Sequence, residues 1–258
     1  MKENDIKKII NAQIDTFLYA GKIALDLRKK GLIKKIKEDK TPVSNGDLEV
    51  NEIIIKKISQ ITPNLPIISE ESNTNKNLAN LNNFWLIDPI DGTYDYINNL
   101  DEFTINAGLI INKKPAAGLI YAPAKKRMFY SYGFNESYEL TDNKLKKLKC
   151  EKLTDPEIIK VLVYSENIKP EIKKIHKELG VTDFKKMKSS LKFCVIAAGE
   201  FDGYVAEPRA CEWDIAAGHA ILKNAGGVIT DFNGNEFLYG KSDFKNTSLI
   251  LKRNKYLK

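Results

Sequence analysis

Residues 84–97 read FWLIDPIDGTYDYI, and this stretch decides the class of fold. The apolar run 84–87 has the pattern of a buried strand, and it stops at two carboxylates three positions apart, Asp88 and Asp91. Each acid alone has an ordinary explanation in turn chemistry, with Gly92 completing the turn. Acids at the end of an apolar strand also lie where loops commonly build functional sites.

Further acids follow the same rule elsewhere in the chain. Glu70 and Glu71 end the strand-like PIIS at 66–69, and Asp214 opens a predicted helix. If these groups converge, their charges repel one another and raise their pKa values unless a cation neutralises them. Carboxylate oxygens suit Mg²⁺ or Mn²⁺, ions that substrate phosphates commonly bridge. The backbone N–H groups of Gly92 and Thr93, at the start of the following helix, would then face a metal-bound phosphate.

Composition limits the alternatives. With 258 residues, 43 % of them hydrophobic, the chain is long enough for one large or two closely packed domains. The net charge of +7 comes from scattered lysines, which predicts solvated faces and favours a small anionic substrate over nucleic acid. The sequence has no apolar run of about 20 residues, so we expect a cytoplasmic protein without a membrane span.

Helical and strand-like segments alternate without the regular rhythm of a doubly wound sheet, which predicts a mixed α/β (α+β) fold. The polar stretch DNKLKKLKCEKLTDP at 142–156 lacks strong β signals and is interpreted as a seam. Residues 1–145 would form an N-terminal α+β subdomain with an antiparallel sheet and the DPIDGT motif. Residues 146–258 would form a C-terminal α/β subdomain with the EWD motif, the two making one functional unit.

The motifs FWLIDPIDGT, SEES at 69–72 and EWDIAAGHAILKNAGG at 212–227 together resemble the inositol monophosphatase superfamily of Mg²⁺-dependent, Li⁺-sensitive phosphatases. Within it, EFTIN at 102–106 and SSLKFC at 189–194 are most similar to the bacterial 3′(2′),5′-bisphosphate nucleotidases. The resemblance implies a layered αβαβα sandwich similar to fructose-1,6-bisphosphatase. It also implies a small phosphorylated substrate and a homodimer.

The resemblance further implies roles by position within the motifs. Asp47, paired with Thr93, would orient and deprotonate an attacking water, so no covalent phosphoenzyme is expected. Glu71 would act through a water or through a neighbouring ligand. Two or three Mg²⁺ ions per site would be held by Glu70, Asp88, the carbonyl of Ile90, Asp91 and Asp214.

Substrate contacts are predicted in two segments of the C-terminal half of the chain, at 189–192 and at 207–209. Ser189, Ser190 and Lys192 open a predicted helix, where they either hold an anion or simply cap the helix. The bacterial nucleotidases usually carry an arginine near the position that Glu207 occupies here. Glu207 instead has the spacing of the glutamate that inositol monophosphatases use on substrate hydroxyls, and Arg209 could supply the missing positive charge.

Three alternatives follow from these observations. Within the superfamily, the substrate is adenosine 3′,5′-bisphosphate or else an inositol phosphate or a sugar bisphosphate. Haloacid dehalogenase-type phosphatases carry D-x-D-G-T, whereas two residues separate Asp88 from Asp91 here. A non-catalytic phosphate- or RNA-binding protein would have lost a metal acid or the water-activating pair, and all are present.

Overall fold

The computed structural model describes residues 1–38, 40–72, 81–150 and 158–254. The long first helix buries Ile6, Ile10 and Phe17 at helical spacing, and a second helix begins after a capping box at Ser44. The α-helices of the described residues are α1 (Glu3–Lys30), α2 (Asn45–Ile61), α3 (Thr93–Ile97), α4 (Pro170–Glu178), α5 (Leu191–Ala197) and α6 (Glu212–Asn224).

A seven-stranded sheet forms the centre of the molecule, in the order β3-β4-β5-β6-β7-β8-β9. Only β3 and β4 are parallel, and the remaining neighbours are antiparallel. The strands are β3 (Ile67–Ser69), β4 (Phe84–Asp91), β5 (Thr104–Ile111), β6 (Lys114–Ala122), β7 (Arg127–Gly133), β8 (Glu136–Thr141) and β9 (Lys144–Lys147). A separate short hairpin, β1 (Lys34–Ile36) with β2 (Pro42–Ser44), precedes α2.

A smaller sheet has the order β11-β10-β12-β14-β13 and mixes parallel with antiparallel pairs. Its strands are β10 (Lys160–Val163), β11 (Asp183–Lys186), β12 (Gly203–Ala206), β13 (Val228–Thr230) and β14 (Leu249–Lys252).

The two sheets and the helices stack in five layers. On β4, Trp85 and Ile87 pack towards α1 and α2, while Phe84 and Leu86 pack in the core shared with α5, α6 and the smaller sheet. This alternation is the two-residue period of a strand buried on both faces. Helix α4 covers the outer face of the smaller sheet around Val205. The αβαβα layering expected from the resemblance is confirmed.

The lysine-rich stretch at the predicted seam contains more β structure than the sequence indicates. Residues 144–147 form β9, which pairs with β8 as an edge strand whose four residues are all exposed. Lysines on an edge strand discourage pairing with other chains, and they also hide its β character in the sequence. Residues 151–157 lie outside the described residues, and the division at 145/146 stays a prediction.

Helix α6 lies directly on the large sheet because two glycines leave no side chain between them. A Cβ at Gly108 of β5 would lie 2.7 Å from the Ala216 Cβ, and one at Gly118 of β6 would lie 2.7 Å from the Ala217 carbonyl oxygen. Such approaches are shorter than side chains tolerate, so only glycine fits. The backbones of the helix and the sheet are therefore fixed against each other.

Candidate active site

A β-bulge turns two acids of β4 towards the same cleft. Asp88 pairs with Asn106 and Asp91 with Thr104, so three steps along β4 oppose two steps along β5. In a regular strand, residues three apart face opposite sides of the sheet, and the extra residue in the bulge cancels that alternation. Bulges next to active sites commonly re-aim side chains in this way.

Three carboxylates from different elements meet at the end of β4. One carboxylate oxygen from each of Glu70, Asp88 and Asp214 lies within 4.8 Å of the other two. Burial, with repulsion among neighbouring acids, raises the pKa values of Asp88 and Asp214 well above the usual range. Asp88 Oδ1 is buried and has no hydrogen-bond partner. An orphaned carboxylate oxygen among like charges fits a bound cation, and oxygen donors suit Mg²⁺.

A lysine contributes positive charge at the edge of this cluster. Lys37 Nζ lies 3.1 Å from Glu70 Oε1 and 2.7 Å from Glu71 Oε1. Burial raises the pKa of Glu71 to about 7, although the hydrogen bond from Lys37 opposes the shift. Lys37 follows β1 and was not singled out from the sequence, where it is one of many scattered lysines.

Helix α6 brings Asp214 to the cluster at its first turn. The Asp214 carboxylate accepts a hydrogen bond of 2.7 Å from the Cys211 N–H, in a capping-box arrangement. Next to it, the fully buried Glu212 carboxylate accepts hydrogen bonds from the N–H groups of Gly240 and Lys241, at 2.7 and 3.1 Å. The Glu212 N–H donates to the Phe244 carbonyl at 2.7 Å. These bonds hold the 240–246 loop against the start of α6.

Asp47 and Thr93 form the second functional group of the site. Asp47 Oδ2 accepts from the Ser44 N–H at 2.8 Å and from the Ser44 hydroxyl at 2.6 Å. Thr93 Oγ1 lies 3.0 Å from Asp47 Oδ1 and 3.0 Å from the Ile90 carbonyl oxygen. Burial raises the pKa of Asp47, which makes its carboxylate a better proton acceptor. Ser44, which sequence reasoning missed, orients the acid from the end of β2, immediately before α2.

Asp91 is held by a small polar network. The Ser190 N–H donates to Asp91 Oδ2, and the Ser190 hydroxyl lies 2.7 Å from Thr104 Oγ1 and 2.8 Å from Asn106 Oδ1. Ser190 therefore contacts the acid and the sheet rather than the open cleft. Thr104 and Asn106 both lie within the motif EFTIN, but the sequence does not show this contact.

The predicted cations, Lys192 and Arg209, form a cationic wall of the cleft that Asp91 and Asp214 also line. Lys192 is buried with its Nζ 2.9 Å from the Lys188 carbonyl oxygen, and burial lowers its pKa against the attraction of Asp91 and Asp214. The Arg209 guanidinium stacks on Tyr164, with Cζ 3.2 Å from the ring centroid.

Two cavities meet along this wall. The inner cleft, of about 100 Å³, is lined by Asp91, Lys192 and Asp214. The outer cavity, of about 440 Å³, has largely apolar walls and shares Tyr164 and Arg209 with the inner one. The inner cleft is thus lined by charges of both signs, and the outer cavity is largely apolar with charged edges.

The other predicted substrate contacts are less open. Glu207 lines both cavities and forms an ion pair with Lys169. Ser189 is fully buried, and its hydroxyl accepts a long hydrogen bond of 3.4 Å from the Leu191 N–H. Gly92 precedes α3 with φ of 92°, and a Cβ there would lie 2.7 Å from the Glu102 carbonyl oxygen, so the turn requires glycine.

Comparison with known proteins agrees with this geometry. The sequence profile of the inositol monophosphatase family matches residues 5–257. The 3′(2′),5′-bisphosphate nucleotidase CysQ of Buchnera aphidicola is 37 % identical over 208 residues, covering 80 % of this chain and 77 % of that protein. CysQ of Aggregatibacter actinomycetemcomitans is 30 % identical over 243 residues, 92 % of this chain and 90 % of that protein. The crystal structure of CysQ from Bacteroides thetaiotaomicron has a TM-score of 0.79 at 28 % identity, covering 95 % of this chain and 97 % of that one.

A layered sandwich with converging acids at the end of a bulged strand defines a phosphatase of the metal-dependent kind. This chain belongs to the inositol monophosphatase family, as the sequence motifs predict. Its substrates are therefore small phosphorylated compounds. None of the helices within the described ranges is both long and apolar enough to cross a membrane.

Proposed function

We propose that this chain hydrolyses the 3′-phosphate of adenosine 3′,5′-bisphosphate with Mg²⁺ and water. The observation that carries the proposal is the meeting of the Glu70, Asp88 and Asp214 carboxylates beside the Asp47–Thr93 pair. Glu70, Asp88, Asp91, Asp214 and the Ile90 carbonyl would hold two or three ions. When bound, Mg²⁺ supplies positive charge that lowers the pKa of the attacking water and stabilises the leaving alkoxide.

The chain itself would position and deprotonate the water. A water on Thr93 Oγ1 gives its proton to that oxygen while the threonine proton passes to Asp47 Oδ1, 3.0 Å away. The water oxygen then bonds to phosphorus, the ester P–O bond breaks and the leaving oxygen takes a proton from solvent. Because water attacks directly, no protein–phosphate bond forms. Contacts from Gly92, Thr93 and Ser189 to the phosphate stay predictions.

The cationic wall supports a second phosphate on the substrate. Lys192 and Arg209 line the inner cleft together with Lys188, which is paired with Asp95. The outer cavity of about 440 Å³ offers apolar surface for a nucleoside. Glu207, the residue that would suit a polyol, is engaged by Lys169, so fewer of its lone pairs remain for substrate hydroxyls. Two relatives that are 37 % and 30 % identical also carry the nucleotidase name.

The second candidate is an inositol phosphatase, favoured by the spacing of Glu207 and by its position in both cavities. A phosphate-release panel separates the two, using adenosine 3′,5′-bisphosphate, inositol 1-phosphate and fructose 1,6-bisphosphate with Mg²⁺ or with EDTA. With Mg²⁺ we expect the highest kcat/KM for adenosine 3′,5′-bisphosphate. With EDTA we expect no phosphate release from any of the three substrates. Asp91→Asn, which removes charge at nearly constant volume, reports any contaminating phosphatase. A preference for inositol 1-phosphate overturns the substrate assignment, and turnover in EDTA overturns the metal.

A further inference from the structure

Asn246 is a buried amide in the inner cleft without a partner. Its exposed fraction is 6 %, and neither its Nδ2 nor its Oδ1 has a hydrogen-bond partner. It lines the same cleft as Asp91, Lys192 and Asp214. Buried polar groups in native proteins are nearly always paired, so an amide with two orphaned atoms at an active site calls for a ligand.

The backbone of Asn246 is fixed, so its orphaned amide is not the product of a loose loop. Its N–H donates to the Ala210 carbonyl at 3.0 Å, and the preceding Lys245 forms an isolated β-bridge with Cys211. Glu212 holds the earlier part of the same loop. Asn246 is thus anchored to the residues that immediately precede α6, the helix that carries Asp214.

The chemistry of the amide narrows the class of ligand. Lys192 and Arg209 only donate hydrogen bonds, which suits phosphate oxygens. Of the acids that line the cleft, Asp91 and Asp214 would hold metal ions under the proposed function, and Glu207 is paired with Lys169. An amide oxygen accepts, so it can accept the hydrogen bond that a neutral hydroxyl donates, which neither Lys192 nor Arg209 can do. The amide Nδ2 can also donate a hydrogen bond, and a neighbouring ester or phosphate oxygen can accept it.

We propose that Asn246 binds the substrate hydroxyl vicinal to the phosphate ester that is cleaved. For a nucleoside 3′,5′-bisphosphate this is the ribose 2′-hydroxyl, so the assignment to that group rests on the proposed function. Asn246 is then a specificity residue that distinguishes a ribonucleotide from its deoxy form. The alternative is that only water occupies the amide.

The test compares adenosine 3′,5′-bisphosphate with its 2′-deoxy analogue. Wild type should prefer the ribonucleotide by about tenfold in kcat/KM, which corresponds to about 1.4 kcal/mol. Asn246→Leu, of similar shape, should abolish this preference by lowering kcat/KM for the ribonucleotide alone, with an unchanged or higher Tm. Asn246→Asp keeps an acceptor oxygen and should keep the preference while raising KM for both anions.

Gln13 provides a matched control, because its buried Oε1 also lacks a partner and it lies in α1, away from the cleft. Gln13→Leu should leave the preference intact. A wild-type enzyme without the preference, or Asn246→Leu that retains it, overturns the inference and leaves water as the partner. If the nucleotide is not hydrolysed at all, the proposed function fails. Inositol 1-phosphate and its deoxy analogue lacking the vicinal hydroxyl then test Asn246 by the same comparison.

Discussion

Asp88→Asn should stabilise the protein in the absence of metal while destroying its activity. Asp88 is almost fully buried, one of its oxygens has no partner, and two other carboxylates lie within 4.8 Å of it. The asparagine side chain has nearly the same volume, removes the charge and can donate to the neighbouring carboxylates. A residue retained at a cost to stability is expected where charge is needed for function.

The size of the effect follows from the geometry. Two unit charges 4.8 Å apart repel by about 3 kcal/mol at an effective dielectric constant of about 20. Lys37 Nζ lies 3.1 Å from Glu70 Oε1 and offsets the charge of that carboxylate, so we count one such pair rather than two. For a chain of this size, each kcal/mol raises Tm by roughly 2–4 °C, so the variant should melt roughly 6–12 °C higher in EDTA.

The difference in Tm between wild type and Asp88→Asn is measured by thermal unfolding in EDTA, from about pH 8 to about pH 5. Because the folded pKa of Asp88 is raised, the stability linked to its protonation is present at low pH and is lost as pH rises through that value. The Tm difference should therefore be largest near pH 8 and shrink on acidification. Millimolar Mg²⁺ should raise the Tm of wild type more than that of the variant. A lower Tm for Asp88→Asn in EDTA, or a pH-independent difference, would refute this account of the cluster.

Three further predictions concern other parts of the site. Thr93→Ala should lower kcat by about 10²-fold or more while Thr93→Ser retains most activity, since only the hydroxyl is needed; equal loss in both variants would point to packing instead. Arg209→Ala should raise KM for the nucleoside bisphosphate more than for a monophosphate, whereas Glu207→Gln should lower kcat/KM only for a polyol substrate. Steady-state kinetics with the reverse pattern would contradict the assignment. Lys37→Met should lower Tm in EDTA and less so with Mg²⁺, opposite in sign to Asp88→Asn; a higher Tm in EDTA would show that Lys37 does not offset the acids.

Much of the fold, and the acidic residues of the candidate site, could be predicted from the sequence. The continuous apolar run at 84–87 predicted the central strand β4, and the joint motif around Asp88 and Asp214 predicted the family, which is confirmed. These features are visible because each depends on local pattern or on residues a few positions apart. The same pattern failed at β9, where lysines suited to an exposed edge have low intrinsic β preference.

Long-range pairing was the part that the sequence did not reveal. Lys37 meets Glu70 across 33 positions, and Lys169 meets Glu207 across 38. Such contacts depend on how loops from separate layers are brought together, and a chain with 41 lysines and arginines offers many equivalent candidates. Asn246 is a single polar residue among several in its segment, and only burial distinguishes it.

The close contacts of Gly108 and Gly118 with α6 set the distance between the helix and the large sheet, and with it the distance between the carboxylates that each of them carries. A methyl group at Gly118 would begin 2.7 Å from the Ala217 carbonyl oxygen, so the helix would have to lift by several tenths of an ångström to reach ordinary contact. Asp214 travels with that helix, whereas Asp88 stays with the sheet, so the lift widens the gap between their carboxylates. A widened gap selects for larger ions, because Mg²⁺ requires short bonds and Ca²⁺ accepts longer ones. Under the proposed function, ion preference would thus depend on the spacing between the backbones of α6 and the large sheet as well as on the ligating residues.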